Sequence, residues 1–183
     1  MTKQEEKKEL RQRMKVLESQ LSDRYKTTSS QAICSHLLGM PEYQAADTVF
    51  CFVGTAKEID TRPILEACLA AGKRLCVPLC TAPGIMELRE ISALCQLSPG
   101  AYGILEPGPD TALVEVDEVD FAVLPCVSCN HAGQRLGQGG GFYDRFLAQE
   151  PEHPTVALCY EFQMLQNLET EEFDIPVDCV LWA

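Results

Sequence analysis

Short runs of strand-forming apolar residues alternate along this chain with stretches of helical spacing, and few folds accept that alternation. Thr48 to Val53, Arg74 to Val77, Phe121 to Pro125, Thr155 to Cys159 and Val177 to Leu181 read as strands, with a further short one near Met86 to Arg89. A first helix opens at the capping box Thr2-Lys3-Gln4-Glu5, after which Leu10, Met14, Leu17 and Leu21 recur as one apolar stripe. A second helix covers Thr27 to Leu38 with Ile33, Leu37 and Leu38 turned inward. A third starts at Asp60-Thr61-Arg62-Pro63, where proline suits a first turn, and ends at Gly72; a fourth runs from Phe142 to about Ala148. Strands joined by helices of this length predict an α/β chain, with a mostly parallel sheet between two helical layers. No repeat, low-complexity stretch or linker divides it, so residues 1–183 are read as one domain.

Within that frame the most specific segment follows the strand Phe121 to Pro125. Gly137-Gln138-Gly139-Gly140-Gly141 places four glycines in five positions, directly before the amphipathic run Phe142-Tyr143-Asp144-Arg145-Phe146-Leu147. Such a backbone can take positive φ and let its N–H groups converge on an anion at the start of a helix. Arg135 and Arg145 flank it, and Asp144 supplies a carboxylate for a metal. No Gly-Lys-Ser/Thr follows, and the spacing is not that of a dinucleotide fingerprint. A plain glycine-rich turn is the competing reading.

Ligands of such sheets bind beyond the carboxyl ends of the strands. The segment Gly54-Thr55-Ala56-Lys57-Glu58-Ile59-Asp60, after the first strand, falls there too. Glu58 either accepts hydrogen bonds from a ligand or is an acid favoured near a helix start. Lys7 and Arg11, four apart beside the apolar stripe, either face a site or are solvated.

The formal charge of −12 argues against bulk nucleic-acid binding and against an anionic membrane surface, so an anionic ligand must be met by a local cluster of Lys and Arg. No apolar run approaches the roughly 18 residues of a membrane span. The start Met-Thr-Lys-Gln-Glu-Glu-Lys-Lys is too charged for a signal peptide, and the expected location is cytoplasmic. Ten cysteines mostly sit in apolar strings, as in Val49-Phe50-Cys51-Phe52-Val53, and read as buried thiols. The pair Cys126 and Cys129 has redox or half-zinc spacing but no second pair to complete a zinc site, and His131 alone does not supply it.

The run Pro125 to Leu147, with Arg-Leu-Gly-x-Gly-x-Gly-x-Tyr-Asp inside it, resembles the signature of the 5-formyltetrahydrofolate cyclo-ligase family. The resemblance extends over nearly the whole chain. It includes Lys7-x-x-Leu10-Arg11, Lys57-Glu58-Ile59-Asp60-Thr61, Tyr102-Gly103-Ile104-Leu105-Glu106-Pro107 and Asp174-Ile175-Pro176-Val177-Asp178, in the family's order. It implies a three-layer α/β/α sandwich of the CoA-transferase-like type. It also implies an ATP- and Mg²⁺-dependent ligase, a monomer that closes 5-formyltetrahydrofolate to 5,10-methenyltetrahydrofolate and releases ADP and phosphate. On the matching positions, Lys7, Arg11, Arg135, Leu136, Gly137, Gln138, Gly139, Gly140, Gly141, Phe142 and Tyr143 would hold ATP. Arg135 and Lys7 would neutralise charge during catalysis. Glu58 and the run Gln138, Gly139, Gly140, Gly141 and Phe142 would border the folate, and Asp144 would hold Mg²⁺, joined by Asp178 or Asp174.

The implied chemistry suits these residue types. A formyl oxygen leaves poorly until a phosphoryl group is transferred to it, and phosphoryl transfer asks a protein for alignment and charge neutralisation. The substrate's own second nitrogen then attacks within the same molecule, so no protein nucleophile is needed. The chain departs from the family pattern at Gln138, Cys129-Asn130 and Leu79, and in its ending Leu181-Trp182-Ala183. Two alternatives stay open here: a non-catalytic relative that keeps the fold as a binding module, and an ATP-independent enzyme such as a sugar-phosphate isomerase. The latter needs a base in a constellation that the scattered His36, His131 and His153 do not form.

Overall fold

A computed structural model describes residues 2–149, 152–172 and 174–183. The first helix, α1 (Lys3–Ser19), begins at the expected capping box: the Glu5 amide donates to Thr2 Oγ1 at 3.2 Å, and the Thr2 amide donates to Glu5 Oε2 at 2.7 Å. Helix α2 (Asp23–Leu38) starts one turn earlier than the apolar spacing predicts, because Ser22 caps it through the Tyr25 amide at 3.1 Å. A short α3 (Pro41–Ala45) precedes strand β1 (Thr48–Cys51), and α4 (Arg62–Ala70) leads through Gly72 into β2 (Arg74–Ala82). Strand β3 (Ile85–Ile91) returns antiparallel. A small hairpin, β4 (Leu97–Pro99) with β5 (Leu105–Pro107), and the edge strand β6 (Leu113–Val114) follow. The chain then re-enters the centre as β7 (Phe121–Pro125), makes the hairpin β8 (Ser128–Cys129) and β9 (Arg135–Leu136), and continues through α5 (Phe142–Leu147). It closes with β10 (Thr155–Cys159) and β11 (Cys179–Trp182).

The seven-stranded sheet runs β11-β10-β7-β1-β2-β3-β6, with the first five strands mutually parallel and the last two antiparallel to their neighbours. Alternation along each strand separates two cores, as it must where both faces are covered. Val49, Cys51, Phe121, Val123, Val156 and Leu158 face one layer, with Ile33 and Leu37 of α2 and Ile64 and Leu65 of α4. Phe50, Ala122, Leu124 and Ala157 face the other, with Phe146 and Leu147 of α5. The expected three-layer architecture is the one observed. A third, smaller cluster joins Met14 of α1 to Val127, Leu136 and Leu168, seating α1 on the chain that leaves β7.

Seven of the ten cysteines are buried, in keeping with their reading as core residues. Burial pushes the Cys34 thiol up to about 11, and burial with the neighbouring Glu106 carboxylate pushes Cys80 up to about 12. Among the described residues no cluster of His, Cys, Asp and Glu could hold a metal by itself, and no helix is long and apolar enough to cross a membrane.

His153, at the amino end of β10, is buried beside Phe146. Its Nδ1 donates to the Pro154 carbonyl at 3.2 Å, and its Nε2 is buried with no hydrogen-bond partner among the described residues. Burial holds this imidazole below its ordinary value, against the opposing charges of Asp120 and Asp178. The unfolded chain protonates His153 near an ordinary pKa of about 6.5, so below that pH it binds more protons than the folded chain. Stability present above that pH is therefore lost as pH falls through the lower folded value. The melting temperature is expected to drop between pH 7 and pH 5.5, and His153→Gln to flatten that part of the profile. An identical slope in the variant would remove His153 as the cause.

Candidate active site

The carboxyl ends of β1, β2 and β7 open into a cavity of about 560 Å³, roofed by α1 and by the loop that leaves β9. Five cations line it (Lys8, Arg11, Lys15, Lys57 and Arg135) against three carboxylates, Glu18, Glu58 and Asp144. In a chain of charge −12 this is the local basic surface that an anionic ligand needs. A larger cleft of about 730 Å³ lies at the amino ends of the strands, lined by Glu115, Asp117, Asp120, Glu152 and His153, with no Lys or Arg among its described residues. Its charge is wrong for a phosphate, so size does not decide between the two.

The glycine loop forms one wall. Gly139 and Gly141 take φ of 95° and 72°, the left-handed region that glycine enters without strain. Above Gly139 lies Arg11, whose Nε donates to the Gly137 carbonyl at 2.8 Å; a Cβ on Gly139 would sit 3.5 Å from the guanidinium carbon. The loop's outer end is tied down by Arg145, which donates to the carbonyls of Gly84 and Gly140 at 3.0 and 3.2 Å. The following helix is only six residues long, so the dipole expected from the sequence is small and the loop's own N–H groups and the arginines carry the field.

Arg135 is the most buried of these cations, its side chain 2% exposed. Nη2 donates to Asp144 Oδ1 at 3.0 Å and Nη1 to the Pro125 carbonyl at 3.1 Å, while the guanidinium lies over the Tyr143 ring at 5.6 Å. Its Nε is buried with no hydrogen-bond partner among the described residues. Asp144 thus keeps one oxygen for its arginine and the other for the cavity. A single carboxylate suits a Mg²⁺ that arrives on a phosphate, since that ion retains water and completes its shell with substrate oxygens. Burial pushes the Tyr143 phenol well above its ordinary value, so it is a hydrogen-bond donor and not a base at neutral pH.

On the opposite wall, Glu58 Oε2 accepts from the Thr55 amide at 3.0 Å, and the Tyr160 hydroxyl donates to the Glu58 carbonyl at 3.0 Å. The loop is fixed from below by Thr61, whose hydroxyl donates to the Phe52 carbonyl at 2.8 Å and accepts from the Gly54 amide at 3.0 Å.

Residues 3–183 match the model of the 5-formyltetrahydrofolate cyclo-ligase family. The chain belongs to that family. The 5-formyltetrahydrofolate cyclo-ligase of Escherichia coli K12 is 31% identical over 156 residues, covering 82% of this chain and 86% of its own. That of Haemophilus influenzae is 26% identical over 183 residues, covering 97% of each. The solved 5,10-methenyltetrahydrofolate synthetase of Aquifex aeolicus superposes with a TM-score of 0.85 at 30% identity, over 96% of this chain and 89% of its own. The Mycoplasma pneumoniae synthetase, at 20% identity, shares the fold with a TM-score of 0.78 over 95% and 96%.

The residues expected from the cyclo-ligase resemblance separate into two groups. Arg11, Glu58, Arg135, Gly137, Gln138, Gly139, Gly140, Gly141, Phe142, Tyr143 and Asp144 all line the one cavity. Lys7, Leu136 and Asp178 do not. Lys7 is buried on the same helical stripe as Leu10 and Met14, and its ammonium is held by Glu171 and Asp174. Leu136 turns into the small core with Met14. Asp178 lies at the amino end of β10, where Oδ2 accepts from the Thr155 amide and hydroxyl, both at 2.8 Å, at the other end of the strands from Asp144.

The cavity also contains residues that sequence reasoning about this cyclo-ligase passed over. Lys8 and Lys15 reach it from α1, beside Arg11. Tyr102 reaches it from the turn between β4 and β5, with φ of 57° and its ring edge-on to Phe142 at 5.9 Å. Glu106 fixes that turn: Oε1 accepts from the Cys80 amide at 3.0 Å and Oε2 from the Ala101 amide at 3.1 Å. The helical spacing of Lys8, Arg11 and Lys15 was a signal available in the sequence, and Tyr102 opens the motif Tyr102 to Pro107 that the family resemblance marked without a role.

Proposed function

We propose that this chain catalyses ATP- and Mg²⁺-dependent cyclisation of 5-formyltetrahydrofolate to 5,10-methenyltetrahydrofolate, as a single monomeric unit in the cytoplasm. The observation that carries this reading is the convergence, in one basic cavity of a cyclo-ligase family member, of Arg11, Arg135, the glycine loop, Asp144 and Glu58. Arg11, Arg135 and the loop N–H groups hold the triphosphate and take up charge as the γ-phosphoryl group passes to the formyl oxygen. Asp144 holds Mg²⁺, which when bound spreads the negative charge of the phosphate oxygens. Glu58 and the stretch Gln138 to Phe142 orient the folate, so that its second amine lies close to the formyl carbon. That amine then forms the new C–N bond and gives up its proton, and the former formyl oxygen leaves as part of phosphate. Effective molarities of about 10⁵ M or more are available to such an intramolecular attack once it is aligned.

The test is near-ultraviolet absorbance of the purified protein with 5-formyltetrahydrofolate and Mg²⁺, with and without ATP. An ATP-dependent rise from the methenyl product is expected, and it should disappear with Asp144→Ala. Binding of both ligands without a rise would replace the enzyme by a binding module; binding of neither would overturn the assignment.

A further inference from the structure

Lys7 makes one of the most protected charge contacts in the chain. Its Nζ lies 2.7 Å from Glu171 Oε2 and 2.6 Å from Asp174 Oδ2, and its side chain is 7% exposed. The carboxylates are themselves organised. The Glu171 amide donates to Asp174 Oδ2 at 2.8 Å, the Asp174 amide to the Glu171 carbonyl at 3.0 Å, and Gln4 Nε2 to both Glu171 oxygens at 3.1 and 3.2 Å. Lys3 adds a bond to the Thr170 carbonyl at 2.9 Å, so the first two turns of α1 are tied to one short segment. Burial works to lower the Lys7 pKa, but the two carboxylates outweigh it and the net shift is upward, while Lys7 in turn lowers that of Glu171. Lys7 and Glu171 are thus both charged at neutral pH.

Arg11 stands one turn further along the same helix, about 6 Å up its axis, and its Nε rests on the Gly137 carbonyl at 2.8 Å. We infer that Glu171 and Asp174 are positioning residues for the phosphate site: by gripping Lys7 they set the height and rotation of α1, and so keep Arg11 over the glycine loop. Lys7 then acts as the anchor of the helix. Two features favour the anchor. Lys7 shares the inward stripe with Leu10 and Met14, whereas Lys8, Arg11 and Lys15 project into the cavity. Withdrawing Lys7 toward a phosphate would also leave the Glu171 and Asp174 carboxylates facing each other without the cation between them.

This inference rests on the ATP reading of the cavity, and the experiment separates the two. In the full chain, Glu171→Gln with Asp174→Asn is expected to raise KM for ATP about tenfold and leave kcat within about twofold, the signature of lost binding common to ground and transition states. Lys7→Met should do the same, and the triple variant should be no worse than Lys7→Met. Hydrogen exchange of the ligand-free protein should quicken at residues 137–141 in all three. A fall in KM for ATP in the carboxylate variant would overturn the inference, because it would mean that the pair withholds Lys7 from the nucleotide. A lower melting temperature with unchanged KM and unchanged exchange at the loop would overturn it too, leaving a simple brace. If the wild-type protein shows no ATP-dependent turnover, the functional reading falls, and loop exchange alone decides the anchor: quickened supports it, unchanged refutes it.

Discussion

Replacing Arg135 by lysine is expected to lower kcat/KM for cyclisation by about 10²-fold or more, although the charge is kept. The reason is geometric. One guanidinium spans the Pro125 carbonyl and Asp144 Oδ1 at 3.1 and 3.0 Å while its carbon lies 5.6 Å over the Tyr143 ring. A lysine ammonium is a point charge without the guanidinium's fork, and it satisfies only one of these partners. Arg135 is also nearly inaccessible, with 2% of its side chain exposed, whereas Asp144 is 31% exposed and water can partly replace its lost partner. The stability loss should accordingly be moderate, about 2 kcal/mol, read as a melting temperature about 4–8 °C lower. Steady-state kinetics together with a thermal melt check both parts. A lysine variant within threefold of wild type would show that charge alone suffices at this position.

The largest effect on folding is expected at Gly133, which carries no chemistry. Its φ is 78°, and a Cβ there would lie 2.0 Å from the Val177 carbonyl oxygen, a backbone atom that cannot step aside cheaply. The same backbone contact is productive with glycine, since the Val177 amide donates to the Gly133 carbonyl at 2.9 Å. Gly133→Ala should cost about 4 kcal/mol, combining left-handed strain with a backbone clash. Gly72 is the control: its φ is 71°, yet nothing lies within 4 Å of an added Cβ. Gly72→Ala should therefore cost only the strain, about 1–2 kcal/mol. Denaturant melts of the two variants side by side would decide it; equal losses would mean that the approach of Val177 is not the cause.

Much of this was legible in the sequence where the signal is local. Strands β7 and β10 end at the residues their apolar runs indicate, because both are buried on both faces and bounded by polar or proline residues. Strand β2 runs past the expected Val77 to Ala82, through Pro78. Its pairing with β1 ends at Cys76, so the edge on which proline offers no N–H is already free, while β3 continues to pair on the other side. The glycine loop was legible for the same local reason, its backbone taking positive φ at Gly139 and Gly141. Lys7 was expected beside Arg11 because a cation four residues away looks like its companion, and the structure places it on the buried side of the helix. The stripe Leu10, Met14, Leu17 already ran through position 7, and the carboxylates that make its burial tolerable lie 164 and 167 residues away. Asp178 was no more legible: an acid beside the last strand could lie at either end of the sheet, and only its bonds to Thr155 show which. Tyr102 lies in a motif the resemblance marked, but its place over the cavity depends on Glu106 bonding both Ala101 and the more distant Cys80 of β2, which the motif alone does not reveal.

The seating of α1 also fixes an order of events as the polypeptide is made. Its seventeen residues are synthesised well before residues 170–174 and can coil at once behind their capping box, yet the partners of Lys3, Gln4 and Lys7 are Thr170, Glu171 and Asp174. Strand β1 likewise waits for β7, about seventy residues downstream, before its second edge is covered. The roof of the cavity therefore cannot be latched until residues 170–174 have emerged. A nascent or truncated product that has already formed much of its sheet would still hold an open, loosely roofed cavity.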